Sequence, residues 1–228
     1  GGYSLKSRME TMHGDMGGAA AVIGAIRAIA LEKLPVNVIA VVAACKNMIS
    51  GDAYVPGDIL FSMNGKKIEM LNSDAEGRLT LADALTYAIR KENAGSIIDI
   101  ATLTGAAQGA VGVRSSAVFS NDEELYAEVE EASERACEKI WRLPLDKELF
   151  PVIESEVADI QNSAQGSTMG GGAIVAGLFL QEFVEDHSWV HVDIAPVSWE
   201  SKDIDYSIKG ATGYGVSLLY ETVKVISR

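Results

Sequence analysis

The chain has 228 residues, of which 48% are hydrophobic and 22% charged, and its formal net charge is −13. This composition is typical of a globular protein and excludes a disordered chain. Acidic balance argues against nucleic acid and anionic membrane surfaces as partners, because both repel a negatively charged protein. We find no apolar run of the ~18 residues that a membrane span needs, and no signal peptide.

The two cysteines predict a reducing compartment. Cys45 and Cys137 do not form a CxxC pair, and we expect no disulfide between them. Cys45 ends a β-branched run and is predicted to be a buried thiol in a strand.

Helical and strand patterns alternate along the chain. The predicted helices cover residues 16–34, 79–93, 121–140, 173–184 and 211–226. The predicted strands cover residues 36–45, 96–103, 116–120 and 189–197, with two short strands around a turn at Asn64-Gly65. The long strands are continuously apolar, which is typical of a mostly parallel sheet with helices on both faces. The expected fold class is therefore α/β, with three α/β/α layers around a mixed sheet in one domain, residues 1–228.

The stretch LNSDAEGRLT, residues 71–80, carries two acids and an arginine on alternate positions. If this segment is extended, Asp74, Glu76 and Arg78 project from the same side. Such a group can bind a hard divalent cation, act as an acid/base pair, or form a surface salt-bridge cluster. The pattern alone leaves these three interpretations open.

Other candidate residues are weaker taken singly. Asp15 precedes the sequence MGGAA, where it can act as a helix N-cap or as a ligand, and the glycines allow close backbone approach. Lys6 is a lone lysine near the glycine-rich start. The three histidines lack metal-ligand spacing, and we find no nucleophile elbow, GxGxxG or phosphate-binding loop.

Several segments together resemble one family. NSDAEGRL at residues 72–79 resembles the octapeptide NTDAEGRL of the leucyl (cytosol) aminopeptidases. Further segments resemble the same family in its order, over nearly the whole chain: DMGGAAAV at Asp15, KNMISG at Lys46, IIDIATLTGA at Ile97, WRLPL at Trp141 and KGATGYGV at Lys209.

The resemblance implies a metalloaminopeptidase that removes N-terminal residues, leucine and other apolar ones preferred. It implies two divalent metal ions, Mn²⁺ or Zn²⁺, with Asp15, Asp74 and Glu76 as ligands. Lys6 would then polarise the scissile carbonyl, and Arg78 would hold a bicarbonate that takes a proton from the metal-bridging water. A second implied group lines the substrate pocket: Met12, Leu103 and Gly105.

The resemblance also implies a homohexamer or other homo-oligomer in the cytoplasm that acts on peptides. One departure stands against full activity. In the family a strand reading roughly GKGxxFDS comes directly before the glycine pair, and its lysine and aspartate are also metal ligands, whereas this sequence begins at that glycine pair. An alternative expectation is therefore a truncated, catalytically impaired family member that acts as an oligomeric binding or structural protein.

Overall fold

The computed structural model describes residues 9–164 and 167–228. A 3₁₀ helix, Met9–Met16, opens this part of the chain, and a second one covers Lys147–Ile153. The α-helices are α1 Gly17–Glu32, α2 Gly77–Arg90, α3 Gly105–Val111, α4 Glu123–Ala136, α5 Gly172–Gln181 and α6 Val216–Ile226. The strands are β1 Ile59–Phe61, β2 Lys67–Glu69, β3 Ser96–Ala101, β4 Ser116–Ser120, β5 Ile140–Arg142, β6 Ile160–Gln161, β7 Ser188–Asp193, β8 Trp199–Glu200 and β9 Gly210–Ala211.

The central sheet has the strand order β3-β7-β4-β5. Strands β3 and β7 are parallel, with Asp99 opposite His191 and Ala101 opposite Asp193. Strand β4 runs antiparallel to β7 and parallel to β5, so the sheet is mixed. The hairpin β1–β2, which the turn at Asn64-Gly65 predicted, joins β6 in a separate small sheet.

Helices cover both faces of the central sheet, as the sequence predicted. One apolar core contains residues of α2, α3 and α5, with Phe119, Phe179 and Trp189 among its fully buried side chains. The other core contains residues of α1, α4 and α6 on the opposite face. The expectation of an α/β fold with three layers is therefore confirmed.

The strand predicted for residues 36–45 is absent. This segment has no assigned secondary structure and is mostly exposed, with Ile39 53% accessible. Cys45, predicted to be buried, is exposed. The physical reason is that a strand needs a neighbour: within the described ranges, β3 is the edge of its sheet and a cavity separates it from this segment.

The first helical stretch is longer than any apolar run that we find in the sequence. The continuous helical stretch Met9–Glu32 is long and apolar enough, by length and composition alone, to cross a membrane. A core helix passes the same test, and α1 buries Gly18, Ala21, Ala25 and Ile29 in the protein. Only this face of α1 is buried, because Ile23 and Leu31 on the same helix are exposed.

Candidate active site

The candidate site lies at the carboxyl ends of β3 and β7, where ligand sites of open α/β sheets are found. Asp15, just before α1, accepts a hydrogen bond at Oδ1 from the Thr102 hydroxyl, 2.7 Å away. The N-cap position of α1 belongs to Met16, which makes no side-chain cap. The capping interpretation of Asp15 is therefore wrong, and its exposed carboxylate points to the end of β3 instead.

The octapeptide does not form the extended segment that the alternation suggested. Asp74 lies in a turn, and its backbone N–H donates to Asn72 Oδ1 at 2.9 Å. Glu76 has helical backbone angles immediately before α2, and Arg78 lies in the first turn of that helix. The three side chains therefore do not project from one strand face, because the turn and the helix start rotate them relative to one another.

Asn162 holds this turn in shape. Its Oδ1 accepts hydrogen bonds from the backbone N–H groups of Leu71 and Asn72, at 2.9 and 3.2 Å. Its Nδ2 donates to the carbonyl oxygens of Asn72 and Ala75, at 2.9 and 3.2 Å. Asn162 is fully buried, so all four bonds are shielded from water. In the sequence, Asn162 lies in a polar, glycine-rich loop. A single asparagine in such a loop does not predict this structural role.

We expect Asn162→Ala to lower the free energy of unfolding by about 2–3 kcal/mol, because it leaves buried backbone groups without partners. Urea denaturation measures this loss. Asn64, a half-buried asparagine in the β1–β2 turn, supplies the control variant Asn64→Ala, which breaks bonds nearer the surface and should cost less. Equal losses for the two variants would contradict this role of Asn162.

Arg78 is a buried cation at the same edge of the sheet. Burial lowers the pKa of its guanidinium to about 10, while the carboxylates of Asp193 and Glu76 act in the opposite direction. Its carbon Cζ lies 5.8 Å from the centroid of the Phe179 ring, and Nε is buried with no hydrogen-bond partner among the described residues. A pKa near 10 keeps Arg78 positively charged at neutral pH, so the site has a fixed positive charge.

Asp193 fixes the turn that follows β3. Its carboxylate accepts hydrogen bonds from the backbone N–H groups of Leu103 and Thr104, both at 3.1 Å, and from the Thr104 hydroxyl at 2.7 Å. That hydroxyl in turn caps α3 by accepting from Ala107 N–H. Burial raises the pKa of Asp193. Sequence reasoning missed this residue, since an aspartate that ends an apolar strand looks like the start of a loop.

The structure brings together only some of the predicted residues. Asp15 and Glu76 line a cavity together with Thr102 and Leu103. Arg78 is charge-coupled to Glu76 and Asp193. Met12 is half-buried in the first 3₁₀ helix, and Gly105 is exposed at the start of α3. Lys6 lies outside the described residues.

The acidic side chains are suitable metal ligands by their chemistry, but in the described part of the chain they are not grouped around one metal position. Carboxylate oxygens are the ligands that hard divalent cations prefer. In the described ranges, however, no group of three or more His, Cys, Asp or Glu side chains stands close enough to hold a metal ion. Asp15, Asp74 and Glu76 therefore supply suitable donors without forming a complete site in this part of the chain.

The chain is similar to known proteins over most of its length. The cytosol aminopeptidase family, catalytic domain, matches residues 1–220. Probable cytosol aminopeptidases of Clostridium perfringens and Clostridium tetani are 54% and 53% identical over 226 residues. These alignments cover 97% and 98% of this chain but 45% and 46% of the relatives, so the chain spans about half their length.

Two solved structures are similar as well. The bottromycin maturation enzyme BotP in complex with Mn is 38% identical with a TM-score of 0.91, covering 100% of this chain and 51% of that one. A tomato leucine aminopeptidase mutant is 46% identical with a TM-score of 0.83, covering 93% and 41%.

The three-layer fold and the match over residues 1–220 are those of a catalytic domain of the aminopeptidase type. The chain belongs to the cytosol aminopeptidase family.

Proposed function

We propose that this chain forms part of the catalytic domain of a metalloaminopeptidase, which hydrolyses the N-terminal peptide bond of peptides and prefers leucine and other apolar residues. The observation that carries the proposal is the octapeptide loop, Asn72–Leu79, at the sheet edge of a chain that matches the family over residues 1–220. Peptides are the expected substrates, and the cytoplasm is the expected location, in keeping with the names of the relatives.

Asp15, Asp74 and Glu76 are the proposed ligands of divalent metal ions, Mn²⁺ or Zn²⁺. Two such ions, when bound, lower the pKa of a bridging water and stabilise an oxyanion. The described acids do not by themselves form a group that could hold a metal ion. That the BotP structure contains Mn supports a divalent metal here without deciding which one.

Arg78 is the proposed holder of a bicarbonate ion, which accepts the proton of the attacking water. A guanidinium binds a planar carbonate through two parallel hydrogen bonds. The Phe179 ring beside Arg78 limits where the guanidinium can lie. Arg78 keeps its positive charge at neutral pH because its pKa is about 10. Lys6, on the same proposal, polarises the scissile carbonyl.

The substrate pocket is proposed to include Met12, Leu103 and Gly105. The N–H groups of Leu103 and Thr104 already donate to Asp193, so they are not available to an oxyanion. The Leu103 side chain and the Cα atom of Gly105 are therefore the parts of this turn that we propose to contact the substrate. This arrangement suits an apolar residue better than a charged one.

The experiment is hydrolysis of leucine amide by the 228-residue chain with Mn²⁺ or Zn²⁺, repeated with a chelator. We expect Asp74→Ala to lower the rate by roughly 100-fold, since a lost ligand costs at least as much as a lost outer-shell partner. Glu124→Ala, an exposed acid on α4, is the matched control and should leave the rate unchanged. Full activity of Asp74→Ala, or activity that persists with the chelator, would contradict the proposal.

A second candidate is a catalytically impaired family member that acts as an oligomeric binding protein. The observation in its favour is that the described acids do not gather into a metal site. It predicts no turnover at any metal concentration. Both candidates propose a homohexamer or another homo-oligomer, which light scattering tests. A monomeric mass would contradict the proposed assembly and would leave the proposed chemistry untested.

A further inference from the structure

Polar side chains lie in a row inside the otherwise apolar central sheet. Trp189, His191 and Asp193 occupy alternate positions of β7 and therefore lie on one of its faces. Asp99 is the register partner of His191 on the neighbouring strand β3. All four side chains are buried. Because a buried polar or charged group is costly unless a partner compensates it, the partners of these groups decide what the row can do.

Asp99 fixes a proton on His191. Its carboxylate accepts hydrogen bonds from His191 Nδ1 and from Trp189 Nε1, each at 2.6 Å. The imidazole stacks on the rings of Phe119 and Trp189, with centroids 6.0 and 6.3 Å away. Burial favours the neutral imidazole, but the carboxylates of Asp99 and Asp193 outweigh burial and raise the pKa of His191. His191 is therefore positively charged below pH 6.5.

Asp193 connects this charge to the turn at the edge of the sheet. Its carboxylate accepts from the N–H groups of Leu103, Thr104 and Ala195, all at 3.1 Å, and from the Thr104 hydroxyl at 2.7 Å. Burial raises the pKa of Asp193, and the charge of His191 acts against that rise. Since His191 Nε2 is buried with no hydrogen-bond partner among the described residues, the ring acts on Asp193 through its charge.

The charges that act on the His191 ring balance one another. Asp99 of β3 and Asp193 of β7 are the two carboxylates, and Arg78 of α2 is a second cation, which disfavours the proton on His191. Strand β4 contributes only the uncharged ring of Phe119. With His191 charged, two positive and two negative groups lie together. Without that proton the group would have a net negative charge in a buried place, which is costly.

We propose that His191 is a positioning residue for the turn Leu103–Gly105: its buried positive charge keeps Asp193 ionised, and the ionised carboxylate holds the turn. The inference rests on the proposed function in that this turn is proposed to line the substrate pocket. A protonated Asp193 loses part of its acceptor capacity and the charge that strengthens its remaining hydrogen bonds. The turn would then loosen, together with the start of α3, which the Thr104 hydroxyl caps.

Hydrogen exchange of residues 102–107, followed by mass spectrometry, measures how firmly the turn is held. The full chain is studied without metal or substrate from about pH 7 down to about pH 4, the range in which buried carboxyl groups titrate. Each exchange rate is divided by the intrinsic rate at that pH. The control segment is residues 213–218, because Gly215 and Leu218 donate their N–H groups to the half-buried carboxylate of Glu138.

Glu138 matches Asp193 in kind but not in surroundings. Burial raises the pKa of its carboxyl group as well, and its opposing partners are the backbone N–H groups of Leu218 and Gly215 rather than a cation. It lies at the N-terminus of α6, which packs in the core on the other face of the sheet. A change of charge at His191 should therefore alter the turn and leave the control segment as it is.

We expect His191→Gln to release the turn at a higher pH than in the natural chain. Glutamine keeps a donor for Asp99 but has no charge, so Asp193 takes up its proton earlier as the pH falls. At the lowest pH at which the natural turn is still protected, residues 102–107 should exchange about tenfold faster in this variant, the difference between a charged and a neutral acceptor. His187→Gln, the same change outside the charged group, should alter neither segment.

The proposal is overturned if His191→Gln releases the turn at the same pH as the natural chain. It is also overturned if both segments shift together, since that would mean a general loss of stability. Should His191→Gln not fold, Asp99→Asn keeps the ring, removes the charge that fixes its proton, and must shift the turn in the same direction. Because none of these measurements needs turnover, a negative result would leave the proposed aminopeptidase activity standing, and an inactive chain would leave the exchange result standing.

Discussion

Replacing Gly18 with alanine is expected to lower the free energy of unfolding by about 3 kcal/mol or more, a large part of the stability of an ordinary domain. A Cβ atom on Gly18 would lie 2.1 Å from the carbonyl oxygen of Ile100 and 2.9 Å from the Cα of Ala101. Both atoms are backbone, so neither can turn away as a side chain would. Helix α1 would have to move off β3, and Asp15 would move with it.

Gly109 in α3 is the matched control for Gly18→Ala. A Cβ there meets nothing within 4 Å, and Gly109 lies inside a helix without a positive φ. Gly109→Ala should therefore be neutral or stabilise by up to about 1 kcal/mol, the helix propensity difference. Thermal and urea unfolding measure both variants. A Gly18→Ala protein as stable as Gly109→Ala would show that α1 does not approach β3 as closely as described.

Asp99→Ala is the second large effect, with an expected loss of about 3–5 kcal/mol. Asp99 of β3 accepts hydrogen bonds from His191 Nδ1 and from Trp189 Nε1 of β7, each at 2.6 Å, and all three side chains are buried. The His191 ring is fully buried and stacks between Phe119 and Trp189. Removing the carboxylate leaves two buried donors without an acceptor, one of them on a titratable ring.

The same pair makes stability depend on pH. Burial disfavours the charged imidazole, but the carboxylates of Asp99, which is hydrogen-bonded to the ring, and of Asp193 together outweigh burial, so the pKa of His191 is raised above 6.5. The folded chain then holds this proton more tightly than the unfolded chain. Its contribution to stability is fully present below pH 6.5 and is lost as the pH rises through the raised pKa.

Urea denaturation across this pH range should show the decline in the natural chain and not in Asp99→Asn, which removes the charge. The exposed ion pair of Arg135 with Glu131 supplies the control. Glu131→Ala should change stability little, because solvent screens an exposed ion pair, and should keep the pH dependence. A natural chain whose stability does not fall as the pH rises would contradict the assignment of a charged His191.

The fold was predictable from the sequence wherever an apolar run lies beside another strand of the sheet. Continuous apolar runs predicted β3 and β7, and both lie in the central sheet. The same kind of pattern failed at residues 36–45, where no described strand stands beside the segment. An apolar run predicts that a segment can pair in a sheet, but it does not show which strand lies beside it.

The site was predictable only in part, for a related reason. The octapeptide identified Asp74, Glu76 and Arg78, but their alternation predicted an extended segment where the chain turns into α2. Asn162 and Asp193, which hold the two loops, gave no signal, because single polar residues acquire such roles only through distant contacts. Asp15 gave an ambiguous signal, since an acid before a helix is equally typical of a cap.

The most direct test of the central claim is metal stoichiometry per chain, measured by elemental analysis after dialysis against Mn²⁺ or Zn²⁺. If Asp15, Asp74 and Glu76 belong to a metallopeptidase site, the chain retains divalent metal, a chelator removes it, and Asp74→Ala fails to retain it. Two ions per chain would be the full complement that we propose. No retained metal, or equal amounts in the natural chain and in Asp74→Ala, would contradict the claim that these acids hold the catalytic ions.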